Sequence, residues 1–185
     1  MLPASIPFTL RLATPDDMPA LRPLMDRAIR ALLSPYLSPE AVEASFEIMG
    51  LDTQLIADRT YFAVEDQDRI IGCGGWSRRA TLFGGDHTAG REPVLLDPRT
   101  EPARVRAMYT DPDHARRGVG RAVLDACESA AASEGFSRVQ LAATLSGEPL
   151  YRACGYEVME HFSAATSKGI AIPLLRMEKP LNAKA

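Results

Sequence analysis

Residues 105–142 constrain the fold of this 185-residue chain more than any other stretch. Residues 105–110 read as a strand, closed by Asp111-Pro112. A helix opens after Gly118 with Val119, Ala122, Val123, Ala126 and Ala130 on one stripe, and Leu124, Cys127 and Ala131 widen its apolar face. Gly135 suits the helix C-terminus, where a left-handed residue ends the last turn. Arg138-Val139-Gln140-Leu141-Ala142 is a second strand. Two strands joined by one crossover helix lie parallel in one sheet, with a right-handed connection.

The flanks extend that sheet. Phe8-Thr9-Leu10-Arg11-Leu12 alternates apolar and polar residues, as a half-buried strand does. Thr14 caps a helix with Pro15 first and Asp16 and Asp17 in its first turn, and Leu21, Leu24, Met25, Ala28, Ile29 and Leu32 recur at helical spacing until Ser34-Pro35. Ser38-Pro39-Glu40 starts a second helix carrying Val42, Phe46 and Met49, and a short third helical piece precedes Asp58. Residues 61–64 and 70–76 form an antiparallel hairpin, and Gly72, Gly74 and Gly75 inside it predict a bulge or the close approach of another group. Residues 78–101 are a long connection with Gly84-Gly85, Gly90, Pro93 and Pro98; a loop of that length is functional or mobile, and it reads as a substrate-side loop. A short helix over 148–154 ends at Gly155, and residues 156–162 and 170–177 pair as a last hairpin. The order β-αα-β-β-β-α-β-α-β-β gives an α/β chain, an α+β mixed sheet with helices on both faces. Its length suits a single domain over residues 1–185.

Hydrophobic residues make up 46% of the chain, enough for a sizeable core, and 21 basic against 24 acidic side chains leave a net charge of −3. That balance lacks the positive field of a nucleic-acid binder. No run approaches the roughly 20 apolar residues of a membrane span, and Met1 to Pro7 lacks the pattern of a signal peptide. Cys73, Cys127 and Cys154 are far apart with no CxxC spacing, so neither a disulfide framework nor a metal site is expected. The expectation is a soluble cytoplasmic protein without nucleic-acid or membrane partners.

The chemistry concentrates in Asp111-Pro112-Asp113-His114-Ala115-Arg116-Arg117-Gly118-Val119-Gly120-Arg121, which follows a strand and opens a helix. The first turn of a helix offers unpaired N–H groups and a partial positive charge. Small residues let a diphosphate approach that backbone, and Arg116, Arg117 and Arg121 add charge-assisted contacts. A solvated charge run explains Arg116-Arg117 equally well. A P-loop fails for want of GxxxxGK[ST], and Val123 stands where a dinucleotide fingerprint needs its third glycine.

This unit closely resembles the acetyl-coenzyme A signature of the GCN5-related N-acetyltransferase (GNAT) family. Leu150-Tyr151-Arg152-Ala153-Cys154-Gly155-Tyr156 resembles the family's second signature at the matching separation, and the element order agrees over nearly the whole chain. Two departures stand out: Ala115 replaces a Gln or Arg three residues before the first glycine, and Thr144 replaces an Asn before the short helix. The resemblance implies an acetyl-CoA-dependent acetyltransferase that moves an acetyl group to the amine of a small molecule or peptide by direct attack in a ternary complex. A homodimer is expected at the level of the family. A non-catalytic acyl-CoA-binding or sensing module of the same fold remains the alternative.

From that resemblance, Met108, Tyr109 and Thr110 present backbone groups to the pantetheine arm, and Arg116, Arg117, Gly118, Val119, Gly120 and Arg121 hold the diphosphate. One strand N–H faces the thioester oxygen, and Tyr151 acts as general acid toward the departing thiolate. Tyr151 reads equally as a core aromatic on a short helix. For a base the candidates are Glu65, Asp86 and His87, each also plausible as a surface or turn residue. His114 is expected to be solvated or to meet the coenzyme, Trp76 to wall the acceptor site or pack in the core, and Cys73 and Cys154 to be buried structural residues.

Overall fold

The computed structural model describes residues 8–182; Met1 to Pro7, the segment read for a leader, lies outside them. The strands are β1 (Thr9–Leu12), β2 (Tyr61–Asp66), β3 (Arg69–Ser77), β4 (Ala103–Thr110), β5 (Arg138–Ala143), β6 (Glu157–Ala165) and β7 (Ala171–Pro180). The helices are α1 (Met18–Leu33), α2 (Pro39–Ser45), α3 (Thr53–Ala57), α4 (Val119–Ser133) and α5 (Glu148–Ala153). The strands form one sheet in the order β1-β2-β3-β4-β5-β7-β6, so the returning strand β7 lies between β5 and β6. Every neighbour pair is antiparallel except β4 and β5, the expected parallel pair.

Apolar periodicity decides which helix covers which face. The stripe of α4 buries Val119, Val123, Leu124, Cys127 and Ala131 against Val64, Trp76, Val105, Val139 and Leu141. On the other face, Leu21, Leu24 and Met25 of α1 pack with Tyr61, Ala63 and Cys73. Leu33, rather than Leu32, completes the buried side of α1, next to Ile29 and Val42. The helix is anchored at its start by Asp17, which accepts from the Thr14 N–H at 2.7 Å and from Arg11 at 2.8 Å. The Arg11 hydrogen bond, outweighing the cost of burial, lowers the Asp17 pKa to about 2.

The glycines of β3 answer to close approach. A Cβ on Gly72 would strike Val119, and one on Gly74 would strike Met108 and Val123, so α4 sits directly on this strand. β3 also carries a bulge: Val64 pairs with Gly72 and Glu65 with Ile70, which leaves Ile71 without a partner on β2. A second bulge lies across the ladder, in β4. Cys73 pairs with Tyr109 and Gly75 with Arg106, which leaves Ala107 and Met108 together opposite Gly74. Ala107 carries the irregularity, with φ at 52°.

Two further features shape the site. β4 pairs with β5 only at Ala103↔Val139 and Arg104↔Gln140, after which β5 continues against β7 and the two parallel strands part. The loop 78–101 is tied down as a cover: Ala80 donates to Val94 O at 2.9 Å, Thr81 to Glu92 O at 2.8 Å, and Arg79 pairs with Asp58 at 2.7 Å. No helix among the described residues is long and apolar enough to cross a membrane.

Gly75→Ala tests the packing account, because the added Cβ would lie 2.6 Å from the Thr60 carbonyl oxygen, an unyielding backbone atom. Urea unfolding should show a loss of about 1–3 kcal/mol. An unchanged midpoint would mean that β2 and β3 pack more loosely than described.

Candidate active site

Where β4 leaves β5, a cavity of about 90 Å³ opens between the strands. Met108, Tyr109, Thr144 and Tyr151 line it, with residues 48–50 and 82–84 over the opening. The bulge sets which β4 groups face this space. Asp111 N–H donates to Ile71 O, so in a period-two ladder Tyr109 also directs its N–H and C=O at β3. Thr110, by alternation, directs its own toward the side that β5 has left. The Tyr109 hydroxyl accepts from Gly50 N–H at 2.9 Å, which fixes its ring against the covering segment.

Met108 is held differently. The Tyr61 hydroxyl, buried in the α1-side core, donates to Ala107 O at 2.8 Å. In a trans peptide the following N–H points opposite to that carbonyl. The Met108 N–H therefore turns away from Tyr61, beside a cavity that Met108 lines.

Tyr151 comes from α5, a single short turn of helix. A Cβ at Gly147 would lie 2.9 Å from its ring, so the glycine before the helix makes room for it. The ring meets Tyr156 edge-on at 5.8 Å. Burial pushes its pKa above the ordinary 10, helped by Cys127, Tyr109 and Cys154, with no hydrogen bond to its hydroxyl among these causes. The group stays protonated throughout the neutral range. Thr144 is committed locally, accepting from Gly147 N–H at 3.1 Å and pairing with Ser146.

The loop before α4 begins from a buried carboxylate. Asp111 accepts from Asp113 N–H at 2.9 Å and pairs with Arg27 and, at 3.1 Å, with Arg69. Burial works to raise its pKa, but these partners hold it below the ordinary carboxylate value. A 3-10 turn over Pro112–His114 follows, then two left-handed residues, Arg116 at φ 65° and Gly118 at φ 85°. Ala122 N–H is the first in the run to find a carbonyl, Gly118 O at 3.0 Å. The N–H groups of residues 116–121 have no acceptor among the described residues. Together with a 15-residue helix behind them, they form a seat for an anion.

The two glycines of the loop have different reasons. Gly118 needs its positive φ, and a Cβ there would meet nothing. At Gly120 a Cβ would come within 2.8 Å of Leu150, so its absence lets α5 dock on the start of α4. Gly120 thereby joins the loop to the helix that carries Tyr151.

Several expected residues lie elsewhere. Asp86 accepts from Thr53 N–H at 2.9 Å and His87 Nε2 meets Phe46 O at 2.6 Å, in a groove that touches the cavity through Met49 and Gly50. Glu65 pairs with Arg11 at 2.5 Å near β1. Among the described residues, no Asp, Glu or His lines the cavity. Trp76 packs edge-on to Phe136 in the α4-side core, so the acceptor-wall reading is corrected. Cys73 is buried, and desolvation pushes its pKa up to about 12. His114 is tucked 3.6 Å from Asp111. Sequence reasoning passed over Tyr61 and a buried pair, Arg106 with Asp52 at 2.5 Å. An arginine inside the apolar run Val105-Arg106-Ala107 was the available sign of the latter.

Gly118→Ala forces a Cβ into the left-handed region and should weaken coenzyme A binding about tenfold by calorimetry, while leaving the melting temperature within a few degrees. Unchanged affinity would remove this backbone from the binding surface. Because the folded Asp111 pKa is depressed, its stabilisation is complete above the ordinary carboxylate range and disappears as pH falls through the folded value. Asp111→Asn should therefore cost about 1–3 kcal/mol at pH 7 and flatten the acid limb of stability between pH 7 and 3. An acid limb identical to wild type would contradict the anchoring role.

A crystal structure of a GCN5-related N-acetyltransferase from Rhodopseudomonas palustris superposes with a TM-score of 0.69 at 19% identity, over 94% of this chain and 95% of that one. The PaiA N-acetyltransferase of Thermoplasma acidophilum, solved with coenzyme A, gives 0.63 at 13% identity, over 94% and 98%. The ribosomal-protein-S18-alanine N-acetyltransferase of Escherichia coli gives 0.60 at 17% identity, over 96% of each chain. At such identities these likenesses concern the fold. No curated protein sequence matches the chain significantly. The family model of the acetyltransferase (GNAT) family matches residues 26–156, more than half the chain, and takes in the bulged strand, the anion seat and Tyr151. The chain belongs to the acetyltransferase (GNAT) family.

Proposed function

We propose that this protein is a single-domain enzyme that transfers an acetyl group from acetyl-coenzyme A to the amine of a small molecule or peptide, by direct attack within a ternary complex. The observation that carries the reading is the juxtaposition of a bulged, unpaired β4 edge, an anion seat at the start of α4, and Tyr151 on the cavity wall. Family membership supports acetyl-coenzyme A as the donor. Three unpaired cysteines and the absence of a membrane-length helix among the described residues fit the cytoplasm. A homodimer, and the absence of nucleic-acid or membrane partners, belong to the same reading.

Acetyl-coenzyme A supplies a thioester carbonyl, which the amine attacks as the carbon–sulfur bond breaks. The backbone N–H groups of residues 116–121, with Arg116, Arg117 and Arg121, hold the diphosphate; Ala115 offers no side-chain donor, so backbone carries the load. The free edge of Met108 and Thr110 aligns the pantetheine arm as an added strand would. The Met108 N–H, oriented through Tyr61, stabilises negative charge on the carbonyl oxygen. Tyr151 donates its proton toward the leaving sulfur. With its pKa raised by burial it is a weak acid, suited to stabilising a desolvated thiolate through a strong hydrogen bond.

The proton released by the amine goes to water, and water returns one to Tyr151, since no carboxylate or imidazole among the described residues lines the cavity. For an alkyl amine of pKa about 10.4, reaching the free base at pH 7 costs roughly 4.6 kcal/mol. The rate should then rise with pH as the acceptor deprotonates.

Release of free thiol on mixing acetyl-coenzyme A with a panel of amines tests the reading against a non-catalytic binding module of the same fold. Tyr151→Phe should lower kcat about 100-fold with little change in KM for acetyl-coenzyme A. Tight donor binding without acceptor-dependent thiol release, and no effect of Tyr151→Phe, would make the binding module correct. Tyr61→Phe should lower kcat roughly tenfold through the misaimed Met108 N–H. Since the raised Tyr151 pKa keeps the phenol protonated, kcat should show no falling limb up to pH 10. A limb below that, lost in Tyr151→Phe, would contradict its environment.

A further inference from the structure

Arg106 occupies an unusual place for a cation. It sits on the bulged strand, 4% exposed, on the wall of the central cavity. Its Nη1 pairs with Asp52 at 2.5 Å and its Nη2 donates to Gly84 O. Its Nε, also buried, has no hydrogen-bond partner. An arginine does not escape burial by losing its proton, so this donor stays charged and unsatisfied.

One buried carboxylate serves two arginines here. Asp52 is completely buried behind Arg106 and shared with Arg91 at 2.6 Å. Arg91 is balanced further out by the half-exposed Asp86 at 3.5 Å. Arg104, two residues earlier on β4, bonds the Gln140 side chain and two carbonyls, with no carboxylate in ion-pair range among the described residues. Among the described residues, Arg106 is the one formally charged side chain on the cavity wall. The rest of the acceptor side is apolar: Ile48, Met49, Leu82, Phe83 and Leu174.

We propose that Arg106 selects acceptors that carry a carboxylate beside the reacting amine, small amino acids with an apolar side chain. Nε, unpartnered and closed off in the free chain, becomes the donor to that carboxylate as it enters, and the apolar walls take the side chain. The inference rests on the acetyl-transfer reading above, for which Arg106 specifies the substrate class. Asp52 holds the guanidinium in place from behind.

Two readouts test it, one independent of catalysis. Valine, leucine and phenylalanine are compared with their carboxamides in thiol release, and N-acetyl-leucine with N-acetyl-leucinamide in calorimetric binding to the coenzyme A complex. The carboxylates should win by at least about tenfold in both kcat/KM and affinity. R106Q should bring both ratios close to one, and R106K should restore part of the preference. The D52N/R106Q double variant, which leaves no buried carboxylate unpaired, should behave as R106Q does if the loss is one of recognition and not of folding. Equal use of acids and amides, with normal thiol release, overturns the proposal and leaves acetyl transfer standing. Arg106-dependent binding of N-acetyl-leucine with no thiol release from any amine upholds the carboxylate site and overturns acetyl transfer. Neither preference nor turnover overturns both.

Discussion

The structure turns on the parting of β4 from β5 after a two-residue ladder. A parallel pair would ordinarily continue, because an unpaired strand edge inside a protein leaves amides without partners. Here β7 takes over the far side of β5, so that strand loses nothing by diverging. The burden falls on β4, whose edge from residue 105 onward faces a cavity. Its shape survives because the bulge at Ala107 is fixed from the other side, by the buried Tyr61 hydroxyl. The close seat of α4 on Gly72 and Gly74 holds β3, the strand that pairs with that bulge, against Val119 and Val123.

The two functional halves are coupled through packing. Asp111 fixes the turn that leads into the loop, Gly118 supplies the left-handed step, and Gly120 admits Leu150. Through Leu150, α5 is placed by the start of α4, so the anion seat and Tyr151 hold a set spacing. A short helix of six residues has little stability of its own. It takes its position from that contact and from the edge-on pair of Tyr151 with Tyr156.

Much of this was legible in the sequence. The strand, turn, helix and strand over 105–142 identify the parallel pair, and GVG with its arginines marks the loop. Local signals carried those readings, as they did Thr14, Ser38 and Gly135 at helix ends. The glycines of β3 announce both a close approach and a bulge, which falls at Ile71 beside Gly72. The second bulge, in β4, falls at Ala107, a residue with no preference for positive φ; tertiary contacts impose it. Gly120 reads as a phosphate-binding glycine, and its missing Cβ also admits Leu150, thirty residues away, a contact the sequence does not announce. Arg106 with Asp52, and Tyr61 with Ala107, are pairings across more than forty residues, which no local pattern encodes. The partners of Asp86, His87 and Glu65, all outside the cavity, are long-range in the same way.

The central claim is that the coenzyme occupies the gap between β4 and β5 with its diphosphate on the amides of residues 116–121. Titrating the ¹⁵N-labelled protein with coenzyme A and following amide shifts tests it most directly. The largest shifts should fall on Met108, Thr110 and residues 116–121, with β1 and β6 unmoved. Shifts centred instead on a second cavity, lined by Leu24, Arg27, Arg69 and Asp111, with residues 116–121 silent, would contradict it.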